Sequence, residues 1–297
     1  MEKEILEKYE KAGKINQEVK MFAREQLKPG VKVLDLAEKI EKMIIDKGGG
    51  IAFPVNISLN DIAAHYTPDI DDTLTLKDGD LVKVDIGVHV DGFIADSAFS
   101  VRLGEKSDIL IKAAEDALEQ FIKEIRPGKT VDEMSKLIED VVMSYGVNPV
   151  RNLAGHSLEE YTQHGGLSIP NGHIPSKEEI KEGQVLGMEV FTTHGEGLVK
   201  ESFPTLIYML IQPKPVRLRE SRKILQLAVD KFKTLPFARR WLKGIGSTVM
   251  LQLALKELVD REVLIEYPPL RERSNSLTAQ AEETIIVLDK PIITTRS

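Results

Sequence analysis

The sequence predicts an α+β fold with two pseudo-symmetric halves, each combining antiparallel sheet with outer helices, and a helical subdomain inserted in the second half. Three features predict it: a repeated Pro-Gly helix unit, a repeated strand unit and a late helical stretch. The chain has 297 residues, of which 42% are hydrophobic. A chain of this size and composition can bury a large core.

The helix repeat relates Leu27–Gly48 to Ile125–Gly146 at a constant offset of 98 residues. Each copy has a basic residue, Pro-Gly, an amphipathic helix and a closing glycine. The apolar positions of the two helices correspond, with Val33, Leu36, Ile40, Met43 and Ile44 matching Val131, Met134, Ile138, Val141 and Val142.

The strand repeat relates Lys77–Gly87 (KDGDLVKVDIG) to Lys181–Phe191 (KEGQVLGMEVF), so that Asp85 corresponds to Glu189. Helix-turn-strand units often look alike, which is the alternative explanation for either match alone. Two matches in the same order indicate related halves, 1–104 and 105–297. We expect a pseudo-two-fold axis with an acidic ligand from each half near the centre.

The stretch from Pro213 to Leu264 has helical periodicity and few strand signals. It predicts an inserted helical subdomain, 213–263, interrupting an α+β domain formed by 1–212 and 264–297. Within it, Lys214–Lys243 holds ten Lys and Arg residues, including Arg239-Arg240, against two acids. A nucleic-acid or transient ribosome contact is one interpretation. A basic helical face in water is the other, and we favour it.

Composition narrows the class of protein. No apolar run approaches the roughly 20 residues of a membrane span, and the first residues lack the pattern of a secretory signal, so we expect a cytoplasmic protein without membrane contact. Without cysteine, a metal must be held by Asp, Glu and His, which favours hard or borderline divalent ions. The net charge of −7 argues against a surface devoted to nucleic acid, and no specific DNA binding is expected.

The segment Leu81–Ser100 predicts a β-hairpin around a two-residue Asp91-Gly92 turn. With that turn, the numbers of paired residues sum to 183, so that Gly87 faces Asp96. Asp85 then lies on the same face, about 7 Å away or less between Cβ atoms. Two buried carboxylates so close together are costly without a cation, which predicts a divalent metal site. The alternative is that one aspartate faces solvent at a strand end.

Three further residues are candidate ligands. His156 follows a glycine in NLAGHS, Glu189 stands in the apolar run VLGMEVF, and Glu282 precedes another apolar run. Strand alternation points Glu282 inward and the neighbouring Glu283 outward. For each of these three residues alone, a purely structural role is the alternative explanation. Together with the two aspartates, they give five ligands, which suit two ions about 3.5–4 Å apart.

These residues lie in segments that resemble the methionine aminopeptidases of the second type, in their short archaeal form. That family shares the pita-bread fold with aminopeptidase P, prolidase and creatinase. The most specific segments are Phe53–Pro68, Val82–Phe99, Asn152–Asn171, Gly187–Phe191 and Tyr267–Val287. The gap of 93 residues between Glu189 and Glu282 resembles the helical insertion of this type.

The resemblance implies two divalent ions, of cobalt, manganese, iron or zinc, and roles for their ligands. Asp85 and Asp96 would bind or bridge both ions, and His156 would bind one. Glu189 would bind one and shuttle a proton, and Glu282 would bridge.

The resemblance also implies the residues that contact the substrate. His65 and His164 would contact the scissile peptide, and Phe53 and Tyr267 would line the methionine pocket, where a thioether packs against aromatic edges. No catalytic role is expected for the remaining histidines, which are His89, His173 and His194.

Some positions depart from the family pattern. Gln163 stands where an apolar residue is usual, and Ala281 and Glu283 stand where Phe and His are common. A further pocket histidine of the family has no identifiable counterpart in Lys200–Tyr208.

The implied function is removal of the initiator methionine from nascent chains and peptides before a small second residue, by a chain working as a monomer. Two alternatives stay open at this point. One is an Xaa-Pro peptidase of the same fold, and the other is a non-catalytic binding protein of that fold.

Overall fold

The computed structural model describes residues 1–296. Six α-helices are present in that range: α1 Lys3–Gln26, α2 Val33–Asp46, α3 Ile109–Glu124, α4 Val131–Ser144, α5 Arg219–Leu227 and α6 Thr248–Asp260. The strands of the first half are β1 Gly50–Leu59, β2 Ile62–Ala64, β3 Leu81–Val90 and β4 Phe93–Arg102. Those of the second half are β5 Asn148–Pro149, β6 Ala154–Ser157, β7 Ser168–Pro170, β8 Val185–Thr193, β9 Val199–Glu201, β10 Ile207–Leu210, β11 Phe237–Ala238, β12 Leu264–Tyr267, β13 Leu270–Glu272, β14 Thr278–Ile286 and β15 Ile292–Ile293.

The first half is an antiparallel sheet in the order β1-β3-β4, packed against α1 and α2. The hairpin prediction is confirmed, since β3 and β4 pair with Gly87 opposite Asp96. Asp91 and Gly92 have φ values of 51° and 93°. Two left-handed residues in a row are what a two-residue type I′ turn requires, and that turn fixes the register.

The second half is a larger antiparallel sheet, in the order β15-β14-β8-β6-β7 with β5 also pairing to β8. Helices α3 and α4 cover it through an apolar core that includes Phe121, Ile138 and Leu186. Three short strands, β2, β13 and β9, form a separate small sheet.

The predicted relation between the halves is confirmed by matching backbone contacts. Helices α2 and α4 each span 14 residues at the offset of 98. The Gly30 amide donates to Leu76 O (2.7 Å), as the Gly128 amide donates to Ile180 O (2.8 Å). The halves therefore repeat one helix-turn-strand unit down to single hydrogen bonds.

The two large sheets meet along β4 and β14, which belong to different sheets. Thr284 Oγ1 donates to Asp96 O and accepts from the Asp96 amide, both at 2.7 Å. Ser100 Oγ likewise donates to Gln280 O (2.7 Å) and accepts from the Gln280 amide (2.8 Å). We call these four bonds the hydroxyl seam. Side-chain hydroxyls, rather than a backbone ladder, thus satisfy these strand edges.

The predicted insert, 213–263, shares a core with the residues that flank it, since Ile224, Phe237, Leu255 and Leu258 pack in one cluster with Leu210 and Leu264. Helices α5 and α6 and strand β11 lie within 213–263, whereas β10 and β12, which form a three-stranded sheet with β11, lie just outside those bounds. The sequence pattern did not predict this sheet. None of the helices over residues 1–296 is both long and apolar enough to cross a bilayer.

Several basic residues of the insert contact acids of the first half. Arg240 pairs with the buried Glu41, and Arg239 lies 3.1 Å from Asp69. Lys243 lies 2.9 Å from Asp71, which extends the same contact. Part of the basic stretch therefore docks the insert against the first half instead of facing solvent.

Candidate metal centre

The predicted ligands converge where the two sheets meet. Pairing places Glu189 opposite Glu282, and His156 opposite Gly187. Asp85 and Asp96 approach from β3 and β4 of the first half. Since each ligand lies within a strand rather than a loop, the sheets themselves fix the spacing.

The five predicted ligands fall into two groups that share one member. Asp96, His156 and Glu282 form the first group, and Asp85, Glu189 and Glu282 form the second. Within each group, the ligand atoms lie within 4.8 Å of one another. Glu282 thus reaches both groups, as a bridging carboxylate would.

Burial makes this cluster unfavourable without a counter-ion. Burial raises the pKa of Asp85 to about 7. Burial, and then repulsion from neighbouring carboxylates, raises the pKa of Asp96, Glu189 and Glu282. Among residues 1–296, no Lys or Arg forms a salt bridge with these acids. Asp85 Oδ1, Asp96 Oδ1 and Glu282 Oε2 also lack hydrogen-bond partners. Divalent ions would supply both the charge and the missing partners, so the residues fit a metal centre.

Gln280 is a site residue that the sequence reasoning missed. Its Nε2 donates to Glu189 Oε2 at 3.1 Å and to Asp85 Oδ2 at 3.4 Å, which joins ligands from the two halves. The signal was available, because Gln280 is two residues before Glu282 and strand alternation turns both to one face.

Two glycines leave room for the ligands and the pocket. A Cβ on Gly187 would lie 3.1 Å from both Glu282 Oε1 and His156 Cε1. A Cβ on Gly87 would collide with the ring of Phe53. The absence of a side chain at Gly87 therefore lets Phe53 approach β3, and its absence at Gly187 leaves room for Glu282 and His156 beside β8.

Three histidines gather on one side of the cluster. The rings of His156 and His164 are 4.4 Å apart, and Tyr267 packs against His164 (6.1 Å) and edge-on against His65 (5.6 Å). Burial, and then His164, lowers the pKa of His65 to about 4 and that of His156 to about 3. Burial also lowers the pKa of His164. All three imidazoles are therefore neutral at pH 7, the form that binds a metal or exchanges one proton.

The cavity that contains the ligand cluster and the three histidines has one largely apolar wall. Its lining includes the predicted Phe53 and Tyr267, together with Ala64, Ile207 and Pro236. Ile207 comes from the range in which no further histidine was identified, so an apolar residue faces the pocket there. The unusual Gln163 also lines it.

The other residues singled out from the sequence lie apart from the ligand cluster. Glu283 points away from Glu282, as alternation predicts. It is nevertheless buried, because Lys20 of α1 (2.9 Å), Thr295 and Arg296 cover it. His89 accepts the Gly92 amide at the hairpin, His173 pairs with Asp132, and His194 is exposed.

Comparison with known proteins settles the family. The family model described as "Metallopeptidase family M24" matches residues 7–217. The chain belongs to metallopeptidase family M24. This M24 chain is 48% identical to a methionine aminopeptidase of Pyrococcus abyssi, over 98% of this chain and 99% of that protein. It is 37% identical to methionine aminopeptidase 2 of Schizosaccharomyces pombe, over 93% of this chain and 69% of that protein.

Two solved structures share the fold. A methionine aminopeptidase of Thermotoga maritima has a TM-score of 0.73 at 20% identity, covering all of this chain and 98% of that one. A thermophilic Arx1 has a TM-score of 0.88 at 19% identity, covering 99% and 91%. The pita-bread fold, the metallopeptidase class and the methionine aminopeptidase activity expected from the sequence are thereby confirmed.

Proposed function

We propose that the five ligands hold two divalent ions, with Glu282 shared between them, for the removal of initiator methionine from new polypeptides before a small second residue. The observation that carries this proposal is the pair of ligand groups with one common carboxylate. The same oxygen and nitrogen donors accept cobalt, manganese, iron or zinc. When bound, such ions activate a water for attack and polarise the scissile carbonyl.

We assign the proton transfers to residues around the ions. Glu189 is the proton shuttle, since its Oε2 is held by Gln280 and its side chain lines the cavity. His65 Nδ1 lies 3.3 Å from Pro268 O, and a carbonyl only accepts, so Nδ1 carries the proton. His65 Nε2 is then an acceptor for the N–H of the scissile peptide. His164, which packs against the rings of His156 and Tyr267, donates to the developing oxyanion.

We assign the methionine side chain to the pocket lined by Phe53, Tyr267, Ala64, Ile207 and Pro236. An unbranched thioether packs well against aromatic edges and aliphatic walls. The second residue would lie between the histidines and the ligand cluster, where little space favours small side chains.

We propose further that the enzyme is cytoplasmic, works as a monomer and meets the ribosome transiently, since its substrates are nascent chains. Six basic residues of the insert are exposed and form no salt bridge within the described part of the chain: Arg217, Arg219, Arg222, Lys223, Lys231 and Lys233. They are the surface on which we place this contact. Unchanged ribosome co-sedimentation after reversing these charges would remove it.

Metal stoichiometry tests the centre. We expect two ions per chain by elemental analysis after manganese loading, fewer than two in Glu282→Gln, and no change in the matched control Glu283→Gln, whose carboxylate faces away. One ion per wild-type chain would contradict the shared carboxylate. No bound ion, and no activity after adding cobalt or manganese, would favour a non-catalytic binding protein.

A peptide panel tests the substrate. We expect release of methionine from Met-Ala-Ser, with little cleavage of Ala-Pro. Cleavage of Xaa-Pro substrates alone would favour the prolidase-like alternative.

A further inference from the structure

Lys83 of β3 is a fully buried lysine with no carboxylate partner among residues 1–296. Only 1% of its surface is exposed. Its Nζ instead donates to three backbone carbonyls, those of Thr278 (2.8 Å), Asn60 (2.9 Å) and Leu81 (3.5 Å). Three acceptors match the three N–H bonds of an ammonium group. We call these three carbonyls and the space between them the carbonyl cage.

The cage is shaped by the turn after β1. Asn60 has a φ of 54°, a left-handed conformation that asparagine tolerates. Its carbonyl accepts from the Thr278 amide and hydroxyl, both at 3.0 Å, as well as from Lys83. Its side chain holds the start of β3, through the Leu81 amide at 3.0 Å and Asp80 at 2.9 Å. The Asn60 carbonyl is therefore held in an orientation that faces the Lys83 side-chain nitrogen.

The cage lies next to the metal centre along two strands. Lys83 is two residues before Asp85, and alternation turns both side chains to one face of β3. Thr278 is likewise two residues before Gln280 and four before Glu282. Because β3 and β14 belong to different sheets, the bond from Lys83 to Thr278 joins the two halves close to their ligands.

We propose that the Lys83 ammonium is a built-in monovalent cation, which fixes β3 against β14 and makes the geometry of the metal centre independent of K⁺ and Na⁺. Backbone carbonyls are the ligands that replace the hydration shell of K⁺ in proteins. An ammonium hydrogen-bonds to carbonyls at distances close to those of a coordinated K⁺. Lys83 is therefore a positioning residue, acting through the spacing of Asp85 and Gln280.

Two variants separate the charge from the packing. Lys83→Ala removes the ammonium and leaves space for a small cation, whereas Lys83→Met removes the ammonium and fills the space. Both are compared with wild type and with the exposed control Lys177→Ala, in KCl, NaCl, NH₄Cl or choline chloride at equal ionic strength. The readouts are kcat/KM on Met-Ala-Ser, the affinity for Mn²⁺ and the Tm of the metal-free protein.

We expect wild type and Lys177→Ala to give the same values in all four salts. In choline chloride, kcat/KM and Mn²⁺ affinity of Lys83→Ala should fall about 10- to 100-fold, the usual effect of losing a group that orients metal ligands. K⁺, Na⁺ or NH₄⁺ should restore them and raise the Tm in a saturable manner, while Lys83→Met should not respond.

Three results would overturn the proposal: a Lys83→Ala variant equal to wild type in choline chloride, a defect that no small cation restores, or equal rescue of Lys83→Met. Wild type provides an independent arm if Lys83→Ala does not fold. A dependence of wild-type kcat/KM on K⁺ or Na⁺ would show that Lys83 does not fill this role.

Discussion

Asp85 is the residue at which folding and metal binding oppose each other most directly. Burial raises its pKa from 3.8 to about 7 in the metal-free protein. Between those values the unfolded chain has released the proton while the folded chain keeps it. The free energy of unfolding of the metal-free protein therefore falls as pH rises from about 4 to 7, and this contribution is constant above that range.

Asp85→Asn should remove this loss of stability from the metal-free protein. At pH 8 with chelator, we expect the variant to be more stable than wild type by about 1–3 kcal/mol, because a buried charge is removed. With manganese, the order should invert, since wild type gains the binding energy of the ions. Calorimetric Tm values with and without metal measure both effects. A lower metal-free Tm for Asp85→Asn than for wild type would contradict the argument.

At this scale, the sequence was informative where a local rule fixed the geometry. The two-residue turn set the register that placed Gly87 opposite Asp96. Gln280, Lys83 and Ile207 were not predicted as site or positioning residues. Their contacts join segments up to 195 residues apart in the chain, and no local period encodes such a distance.

Among the elements, the segment that follows β2 depends on the inserted subdomain. His65 has a φ of 62°, a conformation that its surroundings must hold. The amide of Ile57 donates to Tyr66 O, and Thr67 Oγ1 donates to Val55 O, both at 2.8 Å. Arg240 of the insert donates to Thr67 Oγ1 and to Pro68 O (3.2 Å) while pairing with Glu41.

Arg240→Met should therefore affect both stability and catalysis. It leaves the Glu41 carboxylate buried without its cation, which costs about 3–5 kcal/mol. It also loosens the segment that carries His65, so kcat should fall more than KM changes. The adjacent Arg239→Met is the matched control, because its partner Asp69 is partly exposed and the pair is worth about 1 kcal/mol or less. Urea unfolding and steady-state kinetics measure the two effects. Equal losses in the two variants would argue against a special role for Arg240.

The insert illustrates what periodicity resolves and what it does not. Its helices were predicted, because α5 and α6 are amphipathic segments of ordinary length. Strands β10 to β12 are only two to four residues long, too short for an alternation signal. The count of basic residues identified a charged stretch, but only the docked structure distinguishes Arg240, which is buried, from Lys223, which is exposed.

For the whole molecule, the relation between the halves was predictable and the way they join was not. Offsets in the sequence gave the repeated units, since each unit is local. The hydroxyl seam depends on Ser100 and Thr284, two ordinary strand residues that become equivalent only when the halves meet.

The seam offers a matched pair of variants. Thr284→Val removes the hydroxyl that holds both backbone groups of Asp96, whereas Ser100→Ala does the same to Gln280. Each should lower stability by about 1–3 kcal/mol. Thr284→Val should lower Mn²⁺ affinity by about 10-fold or more, and by more than Ser100→Ala does, since Asp96 is a proposed ligand whereas Gln280 only holds the proposed ligands Glu189 and Asp85. Calorimetric titration decides, and equal losses of affinity would show that the seam does not act through Asp96.

The hydroxyl seam also allows metal binding to be followed through the hydrogen exchange of backbone amides. The amides of Asp96 and Gln280 are each protected from solvent deuterium by one rotatable hydroxyl, whereas their neighbours within β4 and β14 are protected by a ladder. Rotation of a single side chain exposes them without separation of strands, so in the metal-free protein both should exchange faster than adjacent strand amides. Ions that fix the Asp96 carboxylate should slow exchange at Asp96 selectively. Mass spectrometry of deuterium uptake in that strand would then follow metal loading without substrate, label or turnover.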